Sequence, residues 1–255
     1  RIDDKGKIAI IQSFVCDETE LRTCAIDSKG TSIYTGGEDK AVRAFEIKPK
    51  DSNSFSVNKR YDLREHTAPV SFIDVSPDDN LLCSCSEDKS CRIYNAEKGI
   101  QLRKLTFGES PSASRNLKIS FCFFAKDERH LLTIQNPERE GTSYVTKWDL
   151  GKDFKPVKTV KLHSNPVTTA TLNNQGKFLG CGTVDGCSKI ISIDRLEIQN
   201  EAQCHDLIVK GVSFFNDSKA LGSISPDSTY YFLPNTKSGG VLSKLMTLII
   251  AGLIL

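Results

Sequence analysis

Short apolar segments alternate with turn-forming clusters along most of the chain, and the alternation is clearest between His66 and Asn95. Three segments in this stretch, 70–75, 81–85 and 91–94, are rich in apolar residues, and the clusters SPDDN and SEDKS separate them. Short apolar runs bounded by Ser, Pro, Asp and Asn are typical of antiparallel strands joined by hairpins. The pattern therefore predicts an all-β protein built from short strands.

A histidine and an aspartate recur at a fixed interval within this pattern. The interval of 22 residues occurs three times, in the pairs His66–Asp88, His163–Asp185 and His205–Asp227. Asp39 occupies the aspartate position of a fourth copy, in which Asp17 replaces the histidine. An apolar residue follows each of these aspartates by six positions, namely Phe45, Tyr94, Ile191 and Leu233. Two spacings that recur together indicate an internal repeat.

The distance between the copies points to one class of repeat. Positions 94 and 191 lie about two periods apart, and Trp148, in YVTKWDL, fills the place between them. Successive copies are then 49, 54, 43 and 42 residues apart. A period of about 40–45 residues with four short strands is typical of the blades of WD-repeat β-propellers. The chain therefore resembles the WD-repeat proteins, whose name-giving motif is present as WDL at 148–150.

The resemblance to WD-repeat proteins implies structural roles for the recurring residues. In these blades, the histidine before the first strand and the aspartate of the second hairpin share a buried hydrogen-bond network with a strand Ser or Thr and the tryptophan. Such a network costs several kcal/mol when it is half satisfied, so it defines the geometry of the blade. A catalytic residue would occur once, whereas these residues recur. We therefore interpret eight residues as structural: His66, His163, His205, Asp39, Asp88, Asp185, Asp227 and Trp148.

We predict a WD-repeat β-propeller domain over residues 1–236, with about five blades of a ring that commonly has about seven. The predicted blades span approximately 21–63, 68–107, 117–162, 166–204 and 205–234, and 7–15 is predicted as the outer strand of a preceding blade. Because the chain starts at Arg1 without a methionine, we expect it to be truncated at its N-terminus. A two-sheet β-sandwich is the alternative fold, since it also contains short strands and turns.

The composition gives no sign of a nucleic-acid partner or of a catalytic site. Charged residues make up 26% of the 255 residues, the formal net charge is +2, and the basic residues are scattered instead of forming the stripe that phosphate groups require. No nucleophile triad or metal-ligand spacing stands out, so we expect no catalytic residue, cofactor or metal ion. Gly36-Gly37 lacks the helix and the Lys-Ser/Thr pair that follow a phosphate-binding loop, which favours a strand end.

Nine cysteines are present, and their spacing favours buried thiols over a disulfide framework. Cys83 and Cys85 stand two positions apart in one predicted strand, so they face the same side of the sheet. Most of the other cysteines also lie in predicted strands, where free cysteine behaves as a small apolar residue. A metal or disulfide role for these thiols is the alternative.

The last residues of the chain have a different character. The segment 241–255 follows NTKSGG and carries no charge from Leu245 onwards. We predict that it begins a transmembrane anchor, with the apolar residues Leu245, Leu248, Ile249, Ile250, Leu253, Ile254 and Leu255. A spanning helix needs about 20 apolar residues, so we expect the full gene product to continue for roughly ten more. The alternative is an amphipathic helix packed on the propeller, which fits less well because no polar stripe repeats along it.

Two observations favour a propeller that faces the cytosol. Lys237 and Lys244 precede the apolar segment, and the positive-inside rule places the side with the lysines in the cytosol. No signal peptide precedes the repeats, which favours the same side.

The amino-acid sequence of the repeats, followed by an apolar C-terminal segment, is similar to the Sec-twelve family. This family is known in animals as prolactin regulatory element-binding protein. The similarity lies in RTCAIDSKGTSIYTGGEDKAVRAFEI, HTAPVSFIDVSPDDNLLCSCSEDK, VTKWDL, NNQGKFLGCGTVDG, HDLIVKGVSFF and YYFLPNTKSGGV. Members of this family are anchored in the endoplasmic reticulum membrane. They act as guanine-nucleotide exchange factors for the Sar-type small GTPase, which starts assembly of the COPII vesicle coat. The resemblance therefore implies a Sar-type small GTPase and the endoplasmic reticulum membrane as partners.

The chain departs from this family in one respect. The exchange activity of the family is associated with a glycine-rich, potassium-binding loop in an N-terminal blade, and no stretch of this chain matches that loop. We therefore carry over no catalytic residue and no metal site. An exchange factor makes and breaks no covalent bond, so the resemblance implies a protein that is not an enzyme in that sense. The alternative functions are a non-catalytic WD-repeat scaffold and a transcription-related interaction protein.

Overall fold

A computed structural model describes residues 13–15, 19–51, 54–107, 117–215 and 218–236. These residues form 19 β-strands and contain no α-helix, so the all-β prediction is confirmed for this part of the chain. No membrane-spanning candidate, meaning a helix of sufficient length and apolar character, occurs among the described residues. The predicted anchor at 241–255 and residues 7–12 of the predicted outer strand lie outside them. Residues 13–15 belong to no strand.

The chain divides into two compact units. Residues 1–109 and 118–124 belong to the first unit, and residues 110–117 and 125–255 belong to the second.

Two antiparallel sheets of four strands form most of the first unit, and the strands of each follow one another in sequence order. The first sheet consists of β1 (Leu21–Ile26), β2 (Ser32–Gly37), β3 (Val42–Asp51) and β4 (Ser54–Leu63). The second consists of β5 (Val70–Val75), β6 (Leu81–Ser86), β7 (Ser90–Asn95) and β8 (Gln101–Thr106). Most of the next strand, β9 (Leu117–Phe124), also belongs to this unit.

The strands of the second unit belong to three further sheets. The third sheet has the order β12-β11-β10-β9 and contains β10 (His130–Pro137), β11 (Ser143–Asp149) and β12 (Lys155–His163). The fourth consists of β13 (Val167–Leu172), β14 (Phe178–Thr183), β15 (Cys187–Ser192) and β16 (Glu197–Gln203). The fifth has three described strands, β17 (Gly211–Phe215), β18 (Ala220–Ile224) and β19 (Tyr230–Pro234). Four-stranded sheets in sequence order are consistent with the blades of a propeller.

The core of the first unit is made by residues that alternate along the strands of its two sheets. Val42 and Ala44, for example, stand two positions apart on β3 and therefore point to the same side. Tyr61 closes one edge of the core, since its hydroxyl donates a 2.7 Å hydrogen bond to the carbonyl oxygen of Ala96. The buried cluster consists of Tyr34, Val42, Ala44, Val70, Ile73, Leu82, Tyr94 and Ala96.

Gly36 and Gly37 end β2 where neighbouring atoms come too close for a side chain. A Cβ atom on Gly36 would lie 2.6 Å from the Cγ1 of Val70, and a Cβ atom on Gly37 would lie 2.1 Å from the carbonyl oxygen of Glu20. Both distances are far below van der Waals contact. The glycine pair therefore permits close packing at the end of a strand.

A smaller core lies in the second unit. Ile190, Leu221 and Leu233 are buried together, and Phe178 and Phe214 pack against them. These residues come from both the fourth and the fifth sheets, so the two sheets share an apolar interface.

Candidate functional site

His66 lies at the centre of a buried hydrogen-bond network in the second sheet. Its Nδ1 atom lies 2.9 Å from the Oδ2 of Asp88, and its Nε2 atom lies 2.8 Å from the Oγ of Ser84 on β6. Asp88 also accepts hydrogen bonds from the hydroxyl of Ser90 at 2.6 Å and from the backbone N–H of Thr67 at 3.2 Å. The network thus joins the loop before β5 to the turn between β6 and β7.

His205 makes the same network in the fifth sheet. Its Nε2 atom lies 2.9 Å from the Oγ of Ser223, and its Nδ1 atom lies 2.7 Å from the Oγ1 of Thr229 and 3.4 Å from the Oδ2 of Asp227. The hydroxyl of Thr229 and the backbone N–H of Asp206 donate to Asp227 at 2.6 and 3.1 Å. Each partner stands at the same interval from its histidine as in the second sheet. The two copies therefore share the hydrogen-bond partners of the histidine as well as the spacing in the sequence.

His163 belongs to a modified network in the fourth sheet. Its Nε2 atom lies 3.1 and 3.0 Å from the two carboxylate oxygens of Asp185. The hydroxyl of Thr183 and the side-chain amide of Asn165 donate to the same carboxylate at 2.5 and 2.9 Å. Where the other two networks have a serine, this sheet has the buried Cys181. Because a thiol is a weak hydrogen-bond partner, the Nε2 atom faces the aspartate instead.

Asp39, in the turn between β2 and β3, has arginine partners. Its carboxylate contacts the guanidinium of Arg43 and accepts a 3.3 Å hydrogen bond from the backbone N–H of Ala41. The Nη1 atom of Arg64 lies 3.8 Å from the same carboxylate. Asp17, which stands at the histidine position of this copy, lies outside the described residues. Arginine thus provides the positive charge beside the repeat aspartate of the first sheet.

Trp148 is fully buried in β11 of the third sheet. Its indole N–H donates a 2.8 Å hydrogen bond to the hydroxyl of Thr133 on β10. The side-chain amide of Gln135 donates to the same hydroxyl, and the hydroxyl of Thr146 donates to the Oε1 of Gln135 at 3.3 Å. The third sheet therefore has a tryptophan–threonine network.

The networks stabilise the ionised form of their aspartates. Burial acts to raise the pKa of Asp88, but hydrogen bonds from His66 and Ser90 outweigh it, so the pKa is lowered. Burial likewise opposes the shift at Asp185, whose pKa is lowered to about 2 by its hydrogen bonds from Thr183 and His163. The pKa of Asp227 is also lowered to about 2, with the hydroxyl of Thr229 as the largest cause. All three carboxylates are therefore charged at neutral pH.

The chemistry of these networks suits a structural role. A general base or nucleophile needs access to a substrate. The side chains of His66 and His205 are 1% and 0% exposed, and their ring nitrogens already face partners within their own sheets. The recurring residues therefore hold each second hairpin against the loop that precedes the first strand of its sheet.

Four buried cysteines of the first unit converge, and only Cys83 and Cys85 are placed together by their spacing in the sequence. The Sγ atoms of Cys85, Cys91 and Cys122 all lie within 4.8 Å of one another, and Cys83 lies beside Cys91 and Cys122. These four residues are called the thiol cluster below. Cys85 and Cys91 are directly opposite each other in the β6–β7 register, which counting along the hairpin could have revealed. Cys122 lies on β9, and no spacing within a hairpin predicts that it contacts the cysteines of β6 and β7.

The thiols of the cluster differ in acidity. Hydrogen bonds from the three neighbouring thiols lower the pKa of Cys91, and the thiol of Cys122 is the largest cause. Burial raises the pKa of the other three members. Cys91 is therefore the most acidic member of the thiol cluster.

Comparison with known proteins agrees with the repeat geometry. Residues 57–95 match the family model described as "WD domain, G-beta repeat". The matched stretch begins in β4 and ends with β7, so it takes the last strand of one sheet and the first three strands of the next. It includes His66 and Asp88, which form the network of the second sheet.

The curated proteins to which the chain is similar include SEC12 exchange factors and a G-protein beta subunit. It is 25% identical to the guanine nucleotide-exchange factor SEC12 of Mus musculus, over 96% of this chain and 62% of the mouse protein. SEC12-like protein 1 of Arabidopsis thaliana is 27% identical over 70% of this chain and 42% of the plant protein. The chain is thus similar to SEC12 exchange factors over most of its length. It is also 23% identical, over 68% of its length, to a guanine nucleotide-binding protein subunit beta of Oryza sativa subsp. indica, of which it covers 44%.

The matches to SEC12 cover a larger share of this chain than of the SEC12 proteins. The chain is covered almost completely by the SEC12 proteins of mouse and rat, but it spans only 62% of their length.

Proposed function

We propose that this protein is a guanine-nucleotide exchange factor for a Sar-type small GTPase. The observation that carries the proposal is the similarity to the SEC12 exchange factors, which extends over 96% of the chain. The similarity to a G-protein beta subunit covers only 68% of the chain. The nearly neutral charge, +2 over 255 residues, gives little support to a nucleic-acid partner.

An exchange factor of this kind acts through binding alone. It binds the nucleotide-free GTPase more tightly than the loaded GTPase, and by thermodynamic linkage it weakens the hold of the GTPase on its nucleotide by the same factor. No covalent bond is made or broken. We therefore propose that the protein is not an enzyme in the covalent sense.

A rigid β-sheet scaffold suits this mechanism. We propose that the five sheets are the blades of a propeller arc, with their hairpins held by the networks around residues such as His66 and His205. A preorganised surface loses little entropy on binding, so it can hold the open and sparsely populated state of a GTPase. The networks would thereby give the loops between strands a fixed geometry for the partner.

We also propose that the protein resides in the endoplasmic reticulum membrane, with its sheets in the cytosol and 241–255 as the start of its single anchor. The apolar composition of this segment and the preceding lysines support the proposal. The GTPase would then be loaded at the membrane where the COPII coat forms. Alkaline extraction of membranes tests the anchor: the complete gene product should stay with the membranes, and a variant ending at residue 240 should be released. Release of both would remove the anchor from the account.

Binding to a Sar-type GTPase in two nucleotide states tests the proposed function. The complete gene product should bind the nucleotide-free GTPase at least about five-fold more tightly than the GDP-loaded form, which is the lower end of typical coupling between two ligands. A Ras-type GTPase serves as the control, and its two forms should bind equally weakly. Equal affinity for both forms of the Sar-type GTPase would contradict an exchange function.

A non-catalytic WD-repeat scaffold is the second candidate function. Its support is the relationship to other WD-repeat proteins, such as the WDS homolog of Arabidopsis thaliana, 25% identical over 57% of the chain. A scaffold would bind its partner without discriminating between nucleotide states, so the same experiment separates the two functions.

A further inference from the structure

The thiol cluster is a set of four sulfur atoms enclosed in the first unit. Its members Cys83, Cys85, Cys91 and Cys122 are all 0% exposed, and none of them takes part in a disulfide. They come from three strands, since β6 carries two of them and β7 and β9 carry one each. Neither the structural networks nor the proposed exchange function uses these thiols.

We propose that the thiol cluster binds a thiophilic metal ion, with Zn²⁺ as the best candidate. Cys85, Cys91 and Cys122 supply three sulfur ligands that already lie within 4.8 Å of one another. Cys83, on the same strand as Cys85 and facing the same side, supplies the fourth.

The distances among three of the four sulfur atoms are close to those of a structural zinc site. Zinc binds thiolate sulfur at about 2.3 Å, which places the sulfur atoms of a tetrahedral site about 3.8 Å apart. Cys85, Cys91 and Cys122 have separations of up to 4.8 Å, so each of these three sulfur atoms must move by about half an ångström. A small rotation of each side chain provides such a movement, and the strands themselves can stay in place. Cys83 lies outside this three-sulfur group, so its side chain must move further to complete the site.

The donor atoms select the class of metal. An all-sulfur set favours soft or borderline ions such as Zn²⁺ and Cu⁺, because Ca²⁺ and Mg²⁺ require oxygen ligands. Four cysteines in tetrahedral arrangement are the ligand set of closed, structural zinc sites. We therefore infer a structural ion rather than a catalytic one.

Metal binding here is an exchange of protons for an ion, without oxidation. Each thiol that becomes a ligand gives its proton to the solvent, and the ion gives up its bound water. Binding of one Zn²⁺ by all four cysteines therefore releases up to four protons. Because the cluster is fully buried, the ion must enter while the first unit folds, and its binding energy then stabilises the folded state.

The ion would tie β9 to the hairpin of β6 and β7. Cys91 lies on β7 and Cys122 lies on β9, and the whole of β8 comes between them in the sequence. These two ligands are therefore well separated along the chain. Because the ion is bound by the folded state, unfolding these strands would also require its release. The proposed site would thus hold the strand that follows the second sheet close to that sheet.

Refolding the full chain with Zn²⁺ or Co²⁺, followed by removal of free metal, tests the proposal. We expect one ion per chain, sulfur-to-cobalt charge-transfer absorption with tetrahedral ligand-field bands, and a higher thermal midpoint with metal than without. Cys122→Ser should abolish stoichiometric binding. Cys181→Ser is the matched control, since Cys181 is equally buried but lies in the second unit, and it should bind metal like the wild type.

The wild-type protein decides the question even if Cys122→Ser does not fold. A tetrahedral four-sulfur cobalt spectrum, with release of about four protons per ion, would support the site. Refolded wild-type protein that holds no metal would overturn it, and so would equal binding by folded Cys122→Ser. A disulfide between Cys85 and Cys91, detected by mass spectrometry of protein isolated without reductant, would also overturn it, because it consumes two of the ligands.

Discussion

His66 and Asp88, 22 residues apart in the chain, are joined by a contact of 2.9 Å between Nδ1 and Oδ2. The two side chains are only 1% and 4% exposed. In such a site the hydrogen bond itself is strengthened, and loss of one partner leaves the other with its full desolvation penalty. The pair is therefore the natural place to measure how much the networks contribute to stability.

Asp88→Ala should lower the free energy of unfolding by about 2–4 kcal/mol, because it leaves His66, Ser90 and the N–H of Thr67 without their shared acceptor. Urea denaturation followed by circular dichroism gives this value directly. The control is Asp194→Ala, which removes an exposed aspartate and should change the stability by less than about 0.5 kcal/mol. Equal effects of the two substitutions would contradict a structural role for the network.

The free energy of unfolding should decrease at low pH, because the repeat aspartates become protonated there. The pKa of Asp185 is about 2 in the folded protein, below the value of about 3.9 expected when unfolded. Its contribution is therefore fully present above about pH 4 and is lost as the pH falls towards 2. Because its side chain is 38% exposed, solvent screening keeps this contribution below about 2 kcal/mol. In urea titrations, Asp185→Asn should be less stable than wild type at pH 7, and the difference should shrink by pH 3. A difference that does not change with pH would count against this assignment.

Trp148 is the one tryptophan of the chain, so its fluorescence reports on the third sheet alone. Since the indole is fully buried and bonded to Thr133, we expect blue-shifted emission and weak quenching by acrylamide in the folded state. Thr133→Val removes the acceptor and should cost about 1–3 kcal/mol, because the indole N–H is left unpaired in the core. Folded protein with the emission of a solvent-exposed indole would show that this network is absent.

The close approach at the end of β2 can be tested with two glycines. Gly37→Ala should cost about 1–3 kcal/mol or more, since its Cβ atom would lie 2.1 Å from a backbone oxygen, which cannot rotate away. Gly222→Ala, in the middle of β18, is the control, because the nearest atom to its Cβ lies at 3.5 Å. The control should change the stability by less than about 1 kcal/mol. Equal tolerance of both substitutions would mean that β2 does not end in this close contact.

Local spacing was sufficient to predict the all-β class, because hairpins of similar length return the chain to equivalent positions in each sheet. The same interval that separates His66 from Asp88 also separates His205 from Asp227, and the structure gives both pairs matching partners. Contacts made within one sheet are encoded by such intervals.

The repeat spacing does not predict contacts in a copy that lacks the repeat histidine, or contacts between strands of different sheets. The pairing of Asp39 with Arg43, in the copy that has no histidine, depends on the reach of the arginine side chain, which the repeat interval does not describe. The convergence of Cys122 with Cys85 depends on how β9 packs against the second sheet. Such packing is set by the three-dimensional arrangement of strands and leaves no periodic signal in the sequence.

Release of a fluorescent guanine nucleotide from a Sar-type GTPase tests the proposed exchange function most directly. We predict that the complete gene product accelerates this release and leaves a Ras-type GTPase unaffected. Residues 1–240 alone should be close to inactive, since no stretch of them matches the potassium-binding loop expected from the resemblance. Full activity of residues 1–240 would place the exchange surface on the sheets between residues 21 and 234. No acceleration by the complete gene product would contradict the account and leave the scaffold function in its place.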